Sequence, residues 1–108
     1  LGLGQGTGAP VVIGHSDGGI TGVWMGLRRT VPLGGIIPIG AQADAPTGEA
    51  LTLFEDLTEA DWRERFAAGV AAYEAANPEP DFGRLFRETV GLWCNAGPDN
   101  YPGARTAA

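Results

Sequence analysis

Lysine is absent from the 108-residue sequence, and histidine and cysteine each occur once. All seven basic residues are therefore arginines, which stand against 13 acidic residues for a net charge of −6. The arginines are spread along the chain and form no basic patch, so we expect no nucleic-acid partner, which would need clustered cations. The single cysteine, Cys94, excludes an intramolecular disulfide and a cysteine-based zinc site.

Long apolar runs are also missing from the sequence. No stretch approaches the roughly 20 apolar residues of a membrane-spanning helix, and the first residues lack the basic region and apolar stretch of a signal peptide. At 44% hydrophobic residues the chain is still too apolar for a disordered protein. We therefore expect a small soluble protein of the cytoplasm, with no membrane partner and an oligomeric state that the sequence leaves open.

Two short apolar runs flank a predicted helix in the first third of the chain. The β-branched run over 10–13 is typical of a strand buried on both faces of a parallel sheet. The run over 33–39 predicts a second strand, with Pro38 at its end or on its unpaired side, because proline has no N–H for the ladder. Strand, helix and strand together predict a βαβ unit. The apolar residues of the intervening helix are Ile20, Val23, Trp24 and Leu27.

Helices dominate the prediction for the second half of the chain. Residues 40–55 have a mixed pattern and are expected to form a loop. A helix is predicted over 58–76, where Thr58 and Asp61 form an imperfect capping box, and another over 81–94, after a break with two prolines. The predicted apolar stripes are Trp62, Phe66, Val70 and Tyr73 in the first helix and Phe82, Leu85, Phe86, Val90 and Trp93 in the second.

The turn after the first strand has the sequence GHSDGG, which begins at Gly14. Gly-x-Ser-x-Gly directly after an apolar strand and directly before a helix is the arrangement of a nucleophile elbow, in which a tight turn holds the serine in strained backbone geometry. We expect side chains at Gly14 and Gly18 to collide with neighbouring backbone, and Gly19 to allow close packing of the helix on the sheet. Ser16 is the candidate nucleophile.

His15 and Asp17 flank the candidate nucleophile. The backbone N–H of Asp17, at the helix N-terminus, is a candidate oxyanion-hole donor. Either side chain could line a substrate pocket, where the Asp17 carboxylate would favour a positively charged substrate; an aspartate in a first helical turn is equally explained by the helix dipole. His15 is a poor candidate for the base of Ser16, because neighbours in a tight turn point apart.

Residues 11–29, VVIGHSDGGITGVWMGLRR, resemble the elbow segment of the α/β-hydrolase family. The likeness is strongest to the esterase-like branch with GHSDGG or GWSDGG, which includes the valacyclovir-hydrolase-like proteins, and residues 57–93 more loosely resemble the helical lid of those enzymes. The resemblance implies a partial α/β-hydrolase fold, with a core βαβ segment over 1–45 and a helical lid- or cap-like segment over 46–108. It further implies a serine hydrolase that cleaves an ester or related acyl bond of a small molecule, without cofactor or metal.

Two parts of the implied catalytic triad have no clear counterpart in the sequence. The family order is serine, acid, histidine, and no histidine follows Ser16. We therefore expect an internal fragment of a longer enzyme, inactive alone and unstable because its sheet edges are open. The alternative is a non-catalytic α/β-hydrolase-like binding protein. Asp44, just after the second strand, is either an acid at a position that some family members use or a turn aspartate.

Overall fold

The computed structural model describes residues 8–107, so the first seven residues of the predicted core segment lie outside it. The chain divides into two compact units. The first unit comprises residues 1–45 and 97–108, and the second comprises residues 46–96. The division based on the sequence had placed residues 97–108 with the helical segment.

The first unit contains the predicted βαβ element. Strand β1 spans Val11–His15, helix α1 spans Asp17–Arg28 and strand β2 spans Gly35–Ile39. The two strands pair in parallel, with the register running from Val11 opposite Gly35 to His15 opposite Ile39. The prediction of strand, helix and parallel strand is thus confirmed. A short 3₁₀ helix over Gly103–Ala107 ends the described part of this unit.

Pro38 lies inside β2 without weakening its pairing to β1. The backbone N–H of Ser16 donates to the carbonyl oxygen of Ile39 at 2.9 Å, so the polar groups of Ile39 face β1. Because the backbone groups of neighbouring strand residues point to opposite edges, those of Pro38 face away from β1. The missing N–H therefore removes no ladder bond, as predicted for a proline on the unpaired side.

A glycine face brings α1 close to the sheet. Gly19 and Gly22 are its buried residues. A Cβ at Gly22 would lie 3.2 Å from Ile36 Cγ2 and 3.3 Å from Val12 Cγ1, and one at Gly26 would overlap the Ile36 side chain. The predicted stripe of larger apolar residues is only half-buried beside this face, because the absence of side chains on the glycines sets the distance between helix and sheet.

The sheet face opposite α1 is apolar and exposed. Val11 and Ile13 of β1 are 55% and 65% exposed, and Ile37 and Ile39 of β2 are 49% and 50% exposed. The prediction that the first strand is buried on both faces is therefore wrong: α1 covers one face only.

Four helices form the second unit: α2 (Gly48–Glu55), α3 (Glu59–Arg65), α4 (Ala67–Ala76) and α5 (Phe82–Cys94). Two predictions are wrong here. The expected loop over 40–55 contains α2, whose Glu, Ala and Leu residues favour a helix. The single helix expected over 58–76 is broken at Phe66, with φ −122° and ψ 34°, a position that no glycine or proline marks.

The start of α3 carries the capping box that its sequence predicts. Thr58 Oγ1 accepts a hydrogen bond from the N–H of Asp61 at 3.1 Å, and the N–H of Thr58 donates to Asp61 Oδ2 at 3.2 Å. The Thr58 hydroxyl also donates to Asp61 Oδ2. This bond first, and the bond from the Thr58 N–H second, hold the pKa of Asp61 below its ordinary value.

Aromatic rings from three helices pack together in the second unit. Trp62 of α3 stacks on Trp93 of α5 with ring centres 5.4 Å apart, and Phe54 of α2 lies 5.1 Å from Trp93. Two members of the predicted apolar stripes are largely exposed: Leu85 is 41% exposed, and Phe66 is 52% exposed although its ring centre lies 5.5 Å from that of Trp62.

Arg63 connects three of these helices. Its guanidinium forms ion pairs with Glu59 at 2.8 Å and with Glu74 of α4 at 2.9 Å, and its carbon lies 4.6 Å from the ring centre of Phe82 in α5. The two carboxylates, Glu59 first, raise the pKa of Arg63. Because Arg63 is 41% exposed, solvent screens these pairs and their contribution to stability is small.

The prediction of a partial α/β-hydrolase fold is wrong for the chain as described. Residues 8–107 form one two-stranded parallel sheet and five α-helices, a mixed and helix-rich fold. Among these residues only 11–15 and 35–39 form strands, and the elements over 46–96 are all helices, so the larger parallel sheet of an α/β-hydrolase is not formed. Within residues 8–107, no helix is both long and apolar enough to span a membrane.

Candidate functional site

Ser16 occupies the single residue between β1 and α1. It is the N-cap of α1, with φ 53° and ψ −121°. A positive φ favours glycine, and a residue with a Cβ held in such a sparsely populated region costs about 1–3 kcal/mol. Among the described residues only Arg29 shares a positive φ without being glycine, and its φ 49° and ψ 32° are the ordinary left-handed geometry of a helix end. The strain at Ser16 has no such routine explanation.

Hydrogen bonds on both sides hold Ser16 in this geometry. Its N–H donates to the carbonyl oxygen of Ile39 in β2 at 2.9 Å. Its carbonyl oxygen accepts from the N–H groups of Gly19 and Ile20 at 2.8 and 3.1 Å. The strand pairing and the first turn of α1 together stabilise a backbone conformation that serine alone would avoid.

The two glycines of the Gly-x-Ser-x-Gly pattern, Gly14 and Gly18, differ in whether a side chain would fit at their positions. A Cβ at Gly14 would overlap the carbonyl group of Gly18, as the prediction required. A Cβ at Gly18 would meet no atom within 4 Å. The expectation of a collision at Gly18 is therefore wrong. Gly18 matters to the turn through its backbone, which lies where a Cβ of Gly14 would be.

Gly19 has the packing role that was predicted for it. A Cβ there would lie 2.7 Å from the Ala41 Cβ and 3.0 Å from the Gly14 carbonyl oxygen. Ala41 follows β2 in the loop over 40–45, which we call the β2 loop. Nothing in the sequence around Ala41 indicates a contact with the turn, so this residue could not be predicted as part of the site.

His15 and Asp17 lie on different elements on either side of Ser16: His15 ends β1 and Asp17 begins α1. His15 shares the exposed face of β1 with Val11 and Ile13, and its Nε2 is 3.6 Å from where a Cβ of Gly40 would lie. Asp17 is half-buried at the start of α1, and its carbonyl oxygen accepts from the Thr21 hydroxyl at 2.9 Å. Within residues 8–107, neither the Ser16 hydroxyl nor the His15 ring takes part in a side-chain hydrogen bond.

Asp44 lies exposed in the β2 loop, with its Oδ1 3.7 Å from where a Cβ of Gly103 would lie. No hydrogen bond or ion pair joins it to His15 in the described part of the chain. The residues 8–107 also contain no group of three or more His, Cys, Asp or Glu side chains that could hold a metal ion.

Comparison with known proteins gives no relative: the chain matches no protein-family model, no curated protein and no solved structure.

The chemistry of the site follows from its position. The carboxyl end of a parallel strand and the N-terminus of a helix meet at Ser16. Partial positive charge at a helix N-terminus stabilises a developing negative charge, and the carboxyl edge of parallel strands is where open α/β sheets bind ligands. The described residues thus place the hydroxyl of Ser16, on a strained backbone, where an oxyanion could be stabilised. None of them accepts a hydrogen bond from that hydroxyl.

Proposed function

We propose that Ser16 is the nucleophile of a serine hydrolase that acts on an ester or related acyl bond of a small molecule. The observation that carries the proposal is the backbone of Ser16, with φ 53° and ψ −121° in a one-residue turn between strand and helix. The overlap that excludes a Cβ at Gly14 supports it, because the nucleophile elbow needs such a close approach. The resemblance of residues 11–29 to the α/β-hydrolase elbow supports it independently.

In the proposed reaction, Ser16 Oγ attacks the carbonyl carbon of the substrate and transfers its proton to a histidine base. Collapse of the tetrahedral intermediate releases the alcohol, and water then hydrolyses the acyl-serine through the same base. The N–H of Asp17, first in α1, is the proposed oxyanion donor from this chain. No cofactor or metal enters this reaction.

The base and its orienting acid come, in this proposal, from a longer polypeptide that contains these 108 residues or from a partner chain. His15 is the one histidine in the sequence, and it forms no hydrogen bond with Ser16 within residues 8–107. The chain alone is therefore expected to be inactive. A cytoplasmic location remains a prediction from the sequence.

A non-catalytic binding protein is the second candidate function. The missing contact between His15 and Ser16 favours it, because a protein that binds a ligand at the elbow needs no base. The two candidates differ in whether Ser16 becomes reactive when the complete polypeptide of the reading frame is present.

Fluorophosphonate labelling tests the proposal well, because Ser16 is the sole serine of the sequence. We would label the 108-residue chain and the complete polypeptide, each beside Ser16→Ala and beside Thr21→Ala, which removes a neighbouring hydroxyl on α1. Labelling of the complete polypeptide that is lost with Ser16→Ala and kept with Thr21→Ala is expected. A folded complete polypeptide that stays unlabelled at Ser16 would overturn the hydrolase and favour the binding protein.

A further inference from the structure

Residues 97–107, which we call the strap, pack against α1 within the first unit. The indole N–H of Trp24 donates to the carbonyl oxygen of Asn100 at 3.0 Å. Next in the strap, Tyr101 is 7% exposed and Pro102 is less than 2% exposed. Among the described residues of the first unit, the most deeply buried side chains thus lie in a segment whose one regular element is a short 3₁₀ helix.

Arg105 fastens the strap. Its guanidinium donates to three strap carbonyl oxygens, those of Pro102 at 2.9 Å, of Tyr101 at 3.1 Å and of Pro98. Its central carbon also lies 4.7 Å from the centre of the Trp24 ring. A planar guanidinium with five donors can bind several carbonyls while it stacks on an aromatic ring, which the ammonium of a lysine cannot.

The strap is joined in turn to the β2 loop. The N–H of Gly103 donates to the carbonyl oxygen of Ala43 at 2.8 Å, with Gly103 at φ +57°. Two residues earlier, Ala41 packs closely against Gly19 of the GHSDGG turn. The β2 loop begins directly after Ile39, whose carbonyl oxygen accepts from the N–H of Ser16.

We infer that Arg105 is a positioning residue for Ser16. It holds the strap on Trp24, the strap holds the β2 loop through Gly103, and the β2 loop holds the turn that strains Ser16. The inference rests on the proposed function for its chemical meaning, but the coupling itself concerns only contacts inside the first unit. Arg105 touches none of the reacting groups.

Amide hydrogen exchange by NMR on the complete polypeptide tests this coupling. Arg105→Ala should accelerate exchange at the Gly103 and Ser16 amides by about tenfold or more and shift the Trp24 indole resonance, while amides of the second unit keep their rates. Arg105→Lys should restore only part of the protection. Arg87→Ala, which removes an arginine from the second unit, is the matched control and should leave both amides unchanged.

A selective effect at Gly103 and Ser16 supports the coupling. Faster exchange at Gly103 with an unchanged Ser16 amide would overturn it, and so would an equal acceleration across the first unit, since that indicates general destabilisation. If Arg105→Ala does not fold, Arg105→Lys replaces it: this variant keeps a cation near the Trp24 ring, loses the planar fork that binds three carbonyl oxygens, and should give the same selective pattern with a smaller acceleration.

The exchange readout separates this inference from the proposed function. If Arg105→Ala accelerates exchange at the Ser16 amide but fluorophosphonate never labels Ser16, the coupling is supported and the hydrolase proposal is overturned. If Ser16 is labelled, and Arg105→Ala and Arg87→Ala show the same Ser16 exchange rate and the same labelling rate, the hydrolase proposal is supported and the positioning role of Arg105 is overturned.

Discussion

The backbone of Gly18 lies so close to the α-carbon of Gly14 that a Cβ at Gly14 would overlap the Gly18 carbonyl group. The relationship is one-sided, because a Cβ at Gly18 would meet nothing within 4 Å. The first glycine of the Gly-x-Ser-x-Gly pattern is therefore required by sterics, whereas the second is required only for its main chain.

This asymmetry predicts opposite results for two alanine substitutions. Gly14→Ala should push β1 away from the start of α1 and cost about 2 kcal/mol or more, since backbone atoms cannot move aside as side chains do. Gly18→Ala should be neutral or stabilise by up to about 1 kcal/mol, because alanine favours the helix. Urea unfolding of both variants measures the difference. Equal losses of stability would contradict the one-sided contact.

Ser16→Gly should stabilise the protein at the position proposed to be essential for activity. Glycine adopts a positive φ without the strain that costs serine about 1–3 kcal/mol, although its greater freedom when unfolded offsets part of the gain. We expect a net stabilisation of about 1 kcal/mol in urea unfolding. Ser16→Ala keeps the Cβ and is the control: it should give no such gain. A destabilised Ser16→Gly would show that the turn is not strained.

The GHSDGG turn was predictable because its signal is local. The close approach of Gly14 and Gly18 and the one-residue turn at Ser16 lie within six neighbouring residues, and an apolar strand and a helical period mark their limits. The contacts that hold the turn from outside, Ile39 with Ser16 and Ala41 with Gly19, have no such local signal. Local chemistry also predicts the capping box of Thr58, since the two partners stand three residues apart.

The remaining structure depends on contacts that no local pattern contains. Trp24 donates to Asn100 across 76 positions of sequence, so the packing of the strap on α1 could not be predicted. Gly22 and Gly26 give no hydrophobic signal, although they set the spacing of α1 on the sheet. The break at Phe66 is marked by neither glycine nor proline. The resemblance to the α/β-hydrolase family was specific over the elbow and loose over residues 57–93, and the fold that it implied is wrong.

Two threonines at helix starts give a matched test of capping in the second unit. Thr58 caps α3 through its side chain, whereas Thr47 is the N-cap of α2 without a side-chain hydrogen bond. Thr58→Ala should cost about 1 kcal/mol in urea unfolding followed by far-UV circular dichroism. Thr47→Ala should cost much less. Similar losses for the two variants would mean that the Thr58 bonds do not stabilise α3.

Stability at low pH should report on the carboxylate of Asp61. The hydrogen bonds from Thr58, its side chain first, lower the pKa of Asp61 in the folded protein. A carboxyl group with a lowered folded pKa stabilises the fold above its ordinary pKa of about 3.9, and this contribution is lost as the pH falls through the folded pKa. The stabilisation should therefore be full near neutral pH and decline below about pH 4.

Asp61→Asn isolates this contribution, because asparagine does not titrate in that range. The difference in unfolding free energy between the parent chain and Asp61→Asn should stay constant from neutral pH to about pH 5 and shrink as the solution becomes more acidic. In a Thr58→Ala background the same comparison should lose most of its pH dependence, because the hydroxyl that lowers the pKa is gone. A difference that stays constant down to the acid limit of folding would show that Asp61 titrates alike in the folded and unfolded chains.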